Sequence, residues 1–213
     1  MYSRLPYFVF GFHGCDITTK EAVISGKTEL IPSKNDYDWL GSGIYFWEQN
    51  YQRALEFAKM SQLNPKKRFT NFPINEPAVI GAVIDFGYCL NLLDSAHISK
   101  LQMAYNLLKN ATMLSGKEMP ANSGHYPDKP LRRLDRAVIE MLHTHEEDEK
   151  SKPYDTVRGI FQEGGDTYPG AGFREQTHIQ ICVRNINCIK GYFDPRETRN
   201  HGFVSERNAL PST

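Results

Sequence analysis

The sequence predicts a single domain of the α+β class, because strand patterns and helical patterns occupy separate stretches of the chain. Of its 213 residues, 40% are hydrophobic and 12% are aromatic, which is enough to bury a full core. We therefore expect one domain over residues 1–213, with β-rich ends and a helix-rich middle over 65–155.

The first strand is predicted at residues 7–16, YFVFGFHGCD, where aromatic and β-branched residues form a continuous apolar run. This run places His13 and Gly14 at its C-terminal end. Because functional sites tend to lie at strand ends, His13 is a candidate site residue.

A glycine-flanked turn, a second strand and a helix are predicted over residues 39–59, WLGSGIYFWEQNYQRALEFAK. Gly41 and Gly43 flank Ser42 before the strand IYFW. Glycine permits tight turns and close approach of a ligand to the backbone, so Gly43 is a candidate contact for a ligand.

The middle of the chain is predicted to contain a core strand and two amphipathic helices. The strand covers residues 78–93 with a turn at Gly87, and the helices cover 96–115 and 131–145. The segment 119–130 between the helices is rich in proline and glycine, which indicates a loop.

A late β-rich run covers residues 172–193, GFREQTHIQICVRNINCIKGYF. Thr177, Ile179, Ile181 and Val183 recur with a period of two, which predicts a strand that begins close to Glu175. The segment 159–175 before it holds five glycines and is predicted to be a loop.

The ordered set of these motifs resembles the H-Y-E branch of the ADP-ribosyltransferases, which includes poly(ADP-ribose) polymerases and diphtheria-like toxins. The resemblance rests on His13-Gly14, on Gly-x-Gly-Ile-Tyr-Phe ending at residue 46, and on Glu175 near a late strand. It covers roughly residues 7–60 and 158–193. The resemblance implies two small sheets, split around a cleft for NAD, with the middle helices packed on one side.

The resemblance also implies a role for each motif residue. Cleavage of the nicotinamide bond builds positive charge on the ribose, and Glu175 would stabilise that charge as the catalytic carboxylate. His13 would bind the adenosine ribose, and the Gly14 backbone would bind the carboxamide. The ring of Tyr45 would stack on the nicotinamide. NAD is then a substrate, and no metal is required.

The chain departs from the family pattern at three positions. Cys15 stands where many relatives carry Ser or Thr, which removes one hydroxyl donor. The usual second stacking aromatic corresponds to Glu56, so we assign that role to the neighbouring Phe57. Phe173 occupies the position at which arginine-modifying relatives carry Gln or Glu, which disfavours transfer to arginine.

The acceptor is predicted to meet the loop before Glu175. In the resembling enzymes this loop selects the acceptor, and here it offers Tyr168, Phe173 and Arg174, with Glu163 as a reserve acidic residue. The segment NPKKRF at 64–69 combines cations with an aromatic ring, a mixture that suits nucleic acid. A simple exposed loop is the favoured interpretation of that segment.

Composition bounds the remaining possibilities. Lys plus Arg and Asp plus Glu both number 25, so no global charge attracts the chain to nucleic acid or membrane. The four cysteines have no CxxC spacing, and the N-terminus does not have the pattern of a signal peptide, so we expect a cytoplasmic protein. The cluster HTHEEDEK at 143–150 lacks zinc-site spacing and is interpreted as a solvated helix end.

The sequence therefore predicts a mono-ADP-ribosyltransferase acting on nucleic acid or protein, as a toxin or phage-defence effector with a possible antitoxin. Two alternatives remain open. One is an NAD glycohydrolase, which needs the same residues; the other is a noncatalytic module that binds NAD or ADP-ribose, which the presence of Glu175 disfavours.

Overall fold

The protein folds around a mixed sheet of seven strands with four α-helices, in a computed structural model described over residues 8–65, 72–124 and 129–196. The strands are β1 (Val9–Asp16), β2 (Ile44–Glu48), β3 (Pro77–Ile84), β4 (Cys89–Asn91), β5 (Thr156–Phe161), β6 (His178–Val183) and β7 (Ile189–Phe193). The helices are α1 (Ile17–Ile24), α2 (Tyr51–Leu63), α3 (Ser95–Leu114) and α4 (Arg133–Asp148). The strand order is β4-β5-β6-β2-β1-β3-β7, with β4 and β5 parallel and the other described pairs antiparallel.

The predicted α+β class is confirmed, and so are the predicted strands at the start and the helices in the middle. The strand predicted within the run at residues 172–193 forms as β6, and the run also contains a second strand, β7. The side chain of Asn185 accepts a hydrogen bond from the backbone of Asn187 and starts a short 3₁₀ turn, which ends β6 and lets β7 pair with β3.

The junction between β1 and β2 is the narrowest described ladder of the sheet. Its register contains two residue pairs, Gly11 with Glu48 and Phe12 with Trp47, whereas β1 is paired with β3 along all eight residues. The two separate sheets that were predicted are therefore one continuous sheet, in which the ladder between β1 and β2 is short. The narrowing matters because His13 and Gly14 come directly after it.

Hydrophobic clusters pack on both faces of the sheet. On one face, Val9 and Cys15 of β1 pack with Phe46 and Ile80 in the main core. On the other face, α2 covers β1 and β3 around Ala54, while α3 and α4 cover β4 to β6. Leu40, Leu90, Leu108, Leu142 and Cys182 belong to this second core. Tyr45 of β2 packs against this second core, and Trp47 of β2 packs with Ala54 of α2.

The end of α4 corrects one expectation. His143 and Glu146, from the segment predicted to be a solvated helix end, are both buried. The Glu146 carboxylate accepts a hydrogen bond of 2.7 Å from Lys100 of α3, which also donates to the hydroxyl of Tyr154. The C-terminal part of α4 therefore binds α3 through the contact between Glu146 and Lys100.

A buried ion pair connects β2 with β5 across the intervening β6. Arg158 donates from Nε and from a terminal nitrogen to the two carboxylate oxygens of Glu48, at 2.6 and 2.8 Å. Each side chain is 12% exposed. Since two parallel hydrogen bonds fix the relative position of the partners, this pair holds β2 in place at its narrow junction.

The Glu48–Arg158 pair predicts a stability effect. Glu48→Gln keeps the shape of the side chain but leaves the Arg158 guanidinium buried without a counter-charge, so we expect a loss of roughly 3 kcal/mol in the free energy of unfolding. Asp36→Asn is the control, because Asp36 pairs with Arg133 at the surface and should cost less than about 1 kcal/mol. Urea unfolding measures both, and equal losses would contradict the assignment.

Candidate functional site

The candidate site begins where β1 and β2 diverge. Beyond Phe12, the described register of β1 continues with β3 alone. Across the gap, Nδ1 of the His13 ring lies 2.8 Å from the backbone carbonyl oxygen of Tyr45. The His13 side chain thus replaces the next backbone hydrogen bond between β1 and β2. This contact holds the two strands at a fixed separation.

The hydrogen bond of His13 sets the proton arrangement of its ring. A carbonyl oxygen only accepts, so Nδ1 must donate. Burial lowers the pKa of His13, opposed by this hydrogen bond, and favours the neutral ring. In the neutral ring Nε2 then carries a lone pair, and the ring meets Phe46 edge-on with centroids 5.8 Å apart. His13 can therefore accept a hydrogen bond from a hydroxyl group of a ligand.

The hydroxyl group of Tyr45 is used within the protein. It donates to the carbonyl oxygen of Gly41 at 2.8 Å and accepts from the backbone N–H of Leu40 at 3.0 Å. Burial raises the pKa of Tyr45 well above its ordinary value, so the phenol stays protonated. The hydroxyl group of Tyr45 therefore shapes the turn before β2, and the ring of Tyr45 packs against the second core.

Both candidate glycines are required by packing. A Cβ atom at Gly14 would collide with the carbonyl oxygen of Ala54 in α2, and one at Gly43 would collide with Cys182 and Val183 of β6. The close approach at Gly43 is therefore made by β6, whereas Gly14 lets α2 lie directly over the end of β1.

The turn at Ser42 is held by helix α4. The backbone N–H of Ser42 donates to Glu140 at 2.7 Å, and Arg184 donates to the Ser42 carbonyl at 3.3 Å. Arg136 donates to the Ser42 hydroxyl at 3.1 Å. Burial opposes ionisation of Glu140, yet the Ser42 hydrogen bond and the charge of Arg184 lower its pKa. The contact between Ser42 and Glu140 was not predicted from the sequence. The two residues are 98 positions apart, and no local spacing pattern connects them.

Glu175 lies in a hairpin before β6, so the expectation that it begins the strand is wrong. Its backbone N–H donates to Gly165 at 3.0 Å, and the next N–H, of Gln176, donates to Glu163 at 3.0 Å. β6 begins only at His178. The backbone of Glu175 is fixed by these hydrogen bonds, and its side chain is exposed.

The proposed acceptor residues lie toward the tip of the same hairpin. Tyr168 is 56% exposed and Phe173 is 70% exposed. Arg174 pairs with Asp166 at 3.2 Å, on the opposite limb. The cations Lys66, Lys67 and Arg68 lie outside the described residues. The hairpin therefore presents two exposed rings and one paired cation near Glu175.

Helix α2 connects the hairpin to the sheet. Arg53, in its first turns, donates to Glu163 at 2.8 Å and also pairs with Glu56 at 2.9 Å. Phe57, predicted to stack on a ligand, packs against the ring of Trp47 with centroids 5.0 Å apart. Phe57 lies over β2, one strand away from Gly14.

A buried histidine at the start of β6 was not predicted. Nδ1 of His178 lies 2.6 Å from the carbonyl oxygen of Gln176, and burial lowers its pKa to about 4. Its ring faces Trp47 at 6.0 Å. Nε2 of His178, Nε1 of Trp47 and Nε of Arg53 are buried without a hydrogen-bond partner among the described residues. The first is an acceptor and the other two are donors.

The structure brings some predicted residues together and separates others. His13 and the Tyr45 backbone are in contact, and Gly14 lies beneath α2. Glu175 is apart from them: Tyr45 is opposite Cys182, and Trp47 is opposite Gln180, so Glu175 lies beyond the Trp47 end of β2. A ligand that contacts both His13 and Glu175 must be elongated.

No described helix is long and apolar enough to cross a membrane. Among the residues that the structure describes, no group of three or more His, Cys, Asp or Glu side chains is arranged to hold a metal ion.

Comparison with known proteins yields one distant similarity. The chain is 26% identical over 193 residues to "Uncharacterized protein MJ0359" of Methanocaldococcus jannaschii, an alignment that covers 84% of this chain and 83% of the archaeal protein. No family model matches the chain, and no solved structure matches it. The similarity shows that most of the chain has a counterpart in an archaeal protein. The name of that protein gives no activity.

The buried histidines predict a pH-dependent stability. Burial lowers the pKa values of His143 and His178 from 6.5 to about 4, so the unfolded chain binds more protons in that interval. The free energy of unfolding should therefore fall as the pH is lowered from about 6.5 towards 4, by up to about 3 kcal/mol for each ring. Urea unfolding across this pH range measures the loss.

The variant His178→Asn separates the contribution of this ring. Its amide can still donate to the Gln176 carbonyl but does not titrate, so the pH dependence should become shallower than in the parent. A parent stability that is flat over this interval, or a variant with the full slope, would contradict the prediction.

Proposed function

We propose that the protein is an NAD-dependent mono-ADP-ribosyltransferase with an ADP-ribosyltransferase-like fold, in which the narrowing between β1 and β2 corresponds to the split between two sheets. The observation that carries the proposal is the divergence at His13 and Tyr45. There a neutral histidine, fixed by a backbone carbonyl, offers Nε2 as an acceptor. A ribose hydroxyl group is a suitable donor for it.

The separation of the proposed contacts supports NAD over a compact ligand. His13 lies at one part of the gap and Glu175 lies beyond the other end of β2. NAD is elongated and carries two riboses, so one can reach His13 while the other reaches Glu175. In this arrangement the nicotinamide contacts Gly14 and the ring of Tyr45.

The proposed chemistry requires little from the protein beyond positioning and charge. The bond between ribose C1′ and the nicotinamide nitrogen breaks, and its electron pair leaves with nicotinamide. The Glu175 carboxylate stabilises the positive ribose. An acceptor nucleophile then forms the bond to C1′ and releases its proton to the solvent or to a nearby base. The exposed hairpin next to Glu175 lets a macromolecule approach.

The acceptor is proposed to be nucleic acid or protein, met by Tyr168, Phe173 and Arg174. An enzyme of this kind would act in the cytoplasm as a toxin or defence effector, and an antitoxin would restrain it. The NAD glycohydrolase alternative uses the same site with water as the acceptor. Incubation with labelled NAD distinguishes the outcomes, since label appears on a macromolecule, in free ADP-ribose, or in neither.

Glu175 provides the test of catalysis. Glu175→Gln keeps the shape and removes the charge, so NAD should still bind while turnover falls by roughly 10² or more. Glu147→Gln, at an exposed position on α4, is the control and should turn over NAD at the parent rate. Turnover of labelled NAD is the measurement. A Glu175→Gln enzyme as active as the control would remove Glu175 from the mechanism.

His13 provides the test of NAD binding. In His13→Asn the amide can still donate to the Tyr45 carbonyl, but the acceptor at the position of Nε2 is lost. We expect a protein of nearly parental thermal stability that binds NAD about tenfold more weakly. Calorimetric titration of both proteins gives the affinities. Unchanged affinity in a folded variant would place NAD elsewhere.

A further inference from the structure

A cavity of about 580 Å³ lies between α3 and α4, against β5. Its lining includes Trp39, Tyr105 and Phe161, together with aliphatic side chains of both helices. His13, Gly14, Tyr45 and Glu175 are not part of the lining. The volume is within the range of small-molecule sites, roughly 300 to 1,000 Å³. The cavity is therefore large enough for a ligand and distinct from the proposed NAD contacts.

The aromatic rings of the cavity favour a planar occupant. Trp39 and Tyr105 are partly exposed at the cavity, whereas Phe161 is buried against Trp39, with ring centroids 5.1 Å apart and ring planes inclined by 56°. Aromatic faces bind flat heterocycles by stacking, at roughly 1 to 3 kcal/mol per nucleobase. An aliphatic occupant would make no use of this geometry.

The polar edge of the cavity is formed by Arg132 and Asp135, which pair at 3.2 Å. The Arg132 guanidinium lies 4.9 Å from the centre of the Phe161 ring, and its Nε–H has no hydrogen-bond partner in the described ranges. The pair is neutral as a whole, and it places the N–H donors of Arg132 beside the acceptor oxygens of Asp135. It therefore suits a neutral ring with an adjacent donor and acceptor, and disfavours a simple anion, which Asp135 would repel.

We propose that this cavity binds a purine base. A purine is flat and neutral, and one edge carries a hydrogen-bond donor next to an acceptor, which complements Arg132 and Asp135. The sugar and phosphate would remain outside, because the cavity lining offers a single cation that is already paired. The base can belong to a free nucleotide or to a nucleic acid, and the chemistry of recognition is the same.

The position of the cavity connects it with the proposed reaction. Nε1 of Trp39 donates to the side-chain oxygen of Gln180 at 2.6 Å, and Gln180 is opposite Trp47 in the sheet. β6 and β2 thus lie between the cavity at β5 and the gap that we assign to NAD. On the premise of the proposed function, it holds a purine of the acceptor, which makes a nucleic acid the favoured acceptor.

The main test measures binding without NAD, so it is independent of catalysis, and NAD is titrated separately into the parent and Arg132→Gln proteins. GMP, AMP and a short purine-rich RNA are titrated into the intact protein by calorimetry. Arg132→Gln should weaken purine binding about tenfold or more. Tyr105→Leu, which keeps an apolar side chain but loses the ring, should also weaken it. Arg133→Gln is the matched control, because Arg133 pairs with Asp36 outside the cavity, and it should change affinity by less than about twofold.

Each outcome decides the proposal. Purine binding that is weakened in Arg132→Gln and Tyr105→Leu but not in Arg133→Gln supports it, and tighter binding of the RNA than of the mononucleotides assigns the base to nucleic acid. No saturable binding of any probe overturns it, as does equal binding by all variants with unchanged thermal stability. If Arg132→Gln weakens NAD binding as strongly as purine binding, the cavity holds the adenine of NAD and the separate site is wrong.

Discussion

The hydrogen bond from His13 to the carbonyl oxygen of Tyr45 is the contact on which the candidate site depends. A backbone carbonyl inside a protein needs a donor, and the ladder between β1 and β2 no longer supplies one beyond Phe12 and Trp47. The imidazole supplies it at 2.8 Å and keeps the strands apart. One side chain therefore bridges the gap, and the same hydrogen bond fixes the orientation of its ring.

The surrounding elements hold this gap in shape from two sides. On one side α2 lies directly on β1, because Gly14 has no side chain to keep Ala54 away. On the other side Glu140 and Arg184 hold the turn at Ser42, and Tyr45 holds Gly41. These contacts come from distant parts of the chain, so the helix-rich middle contributes to the site as a support. Preorganisation of this kind reduces the cost of positioning a ligand.

Much of the fold could be predicted from local patterns, and the site only in part. The apolar run in 7–16 and the helical spacing in 96–115 are local signals, and both elements form as expected. Glu175 was misplaced at a strand start because the β-rich composition of the late run does not reveal its hairpin. The buried His178 was missed because its environment is made by Trp47 and Phe161, which are distant in sequence. Tertiary contacts of this kind leave no periodic signal.

The gap between β1 and β2 is the proposed binding site for NAD. A crystal structure of the Glu175→Gln protein with intact NAD tests it most directly, because the slowed enzyme should retain its substrate. We expect a ribose hydroxyl within hydrogen-bond distance of Nε2 of His13, with the nicotinamide near Gly14 and Tyr45. NAD bound elsewhere, without contact to His13, would rule out this site.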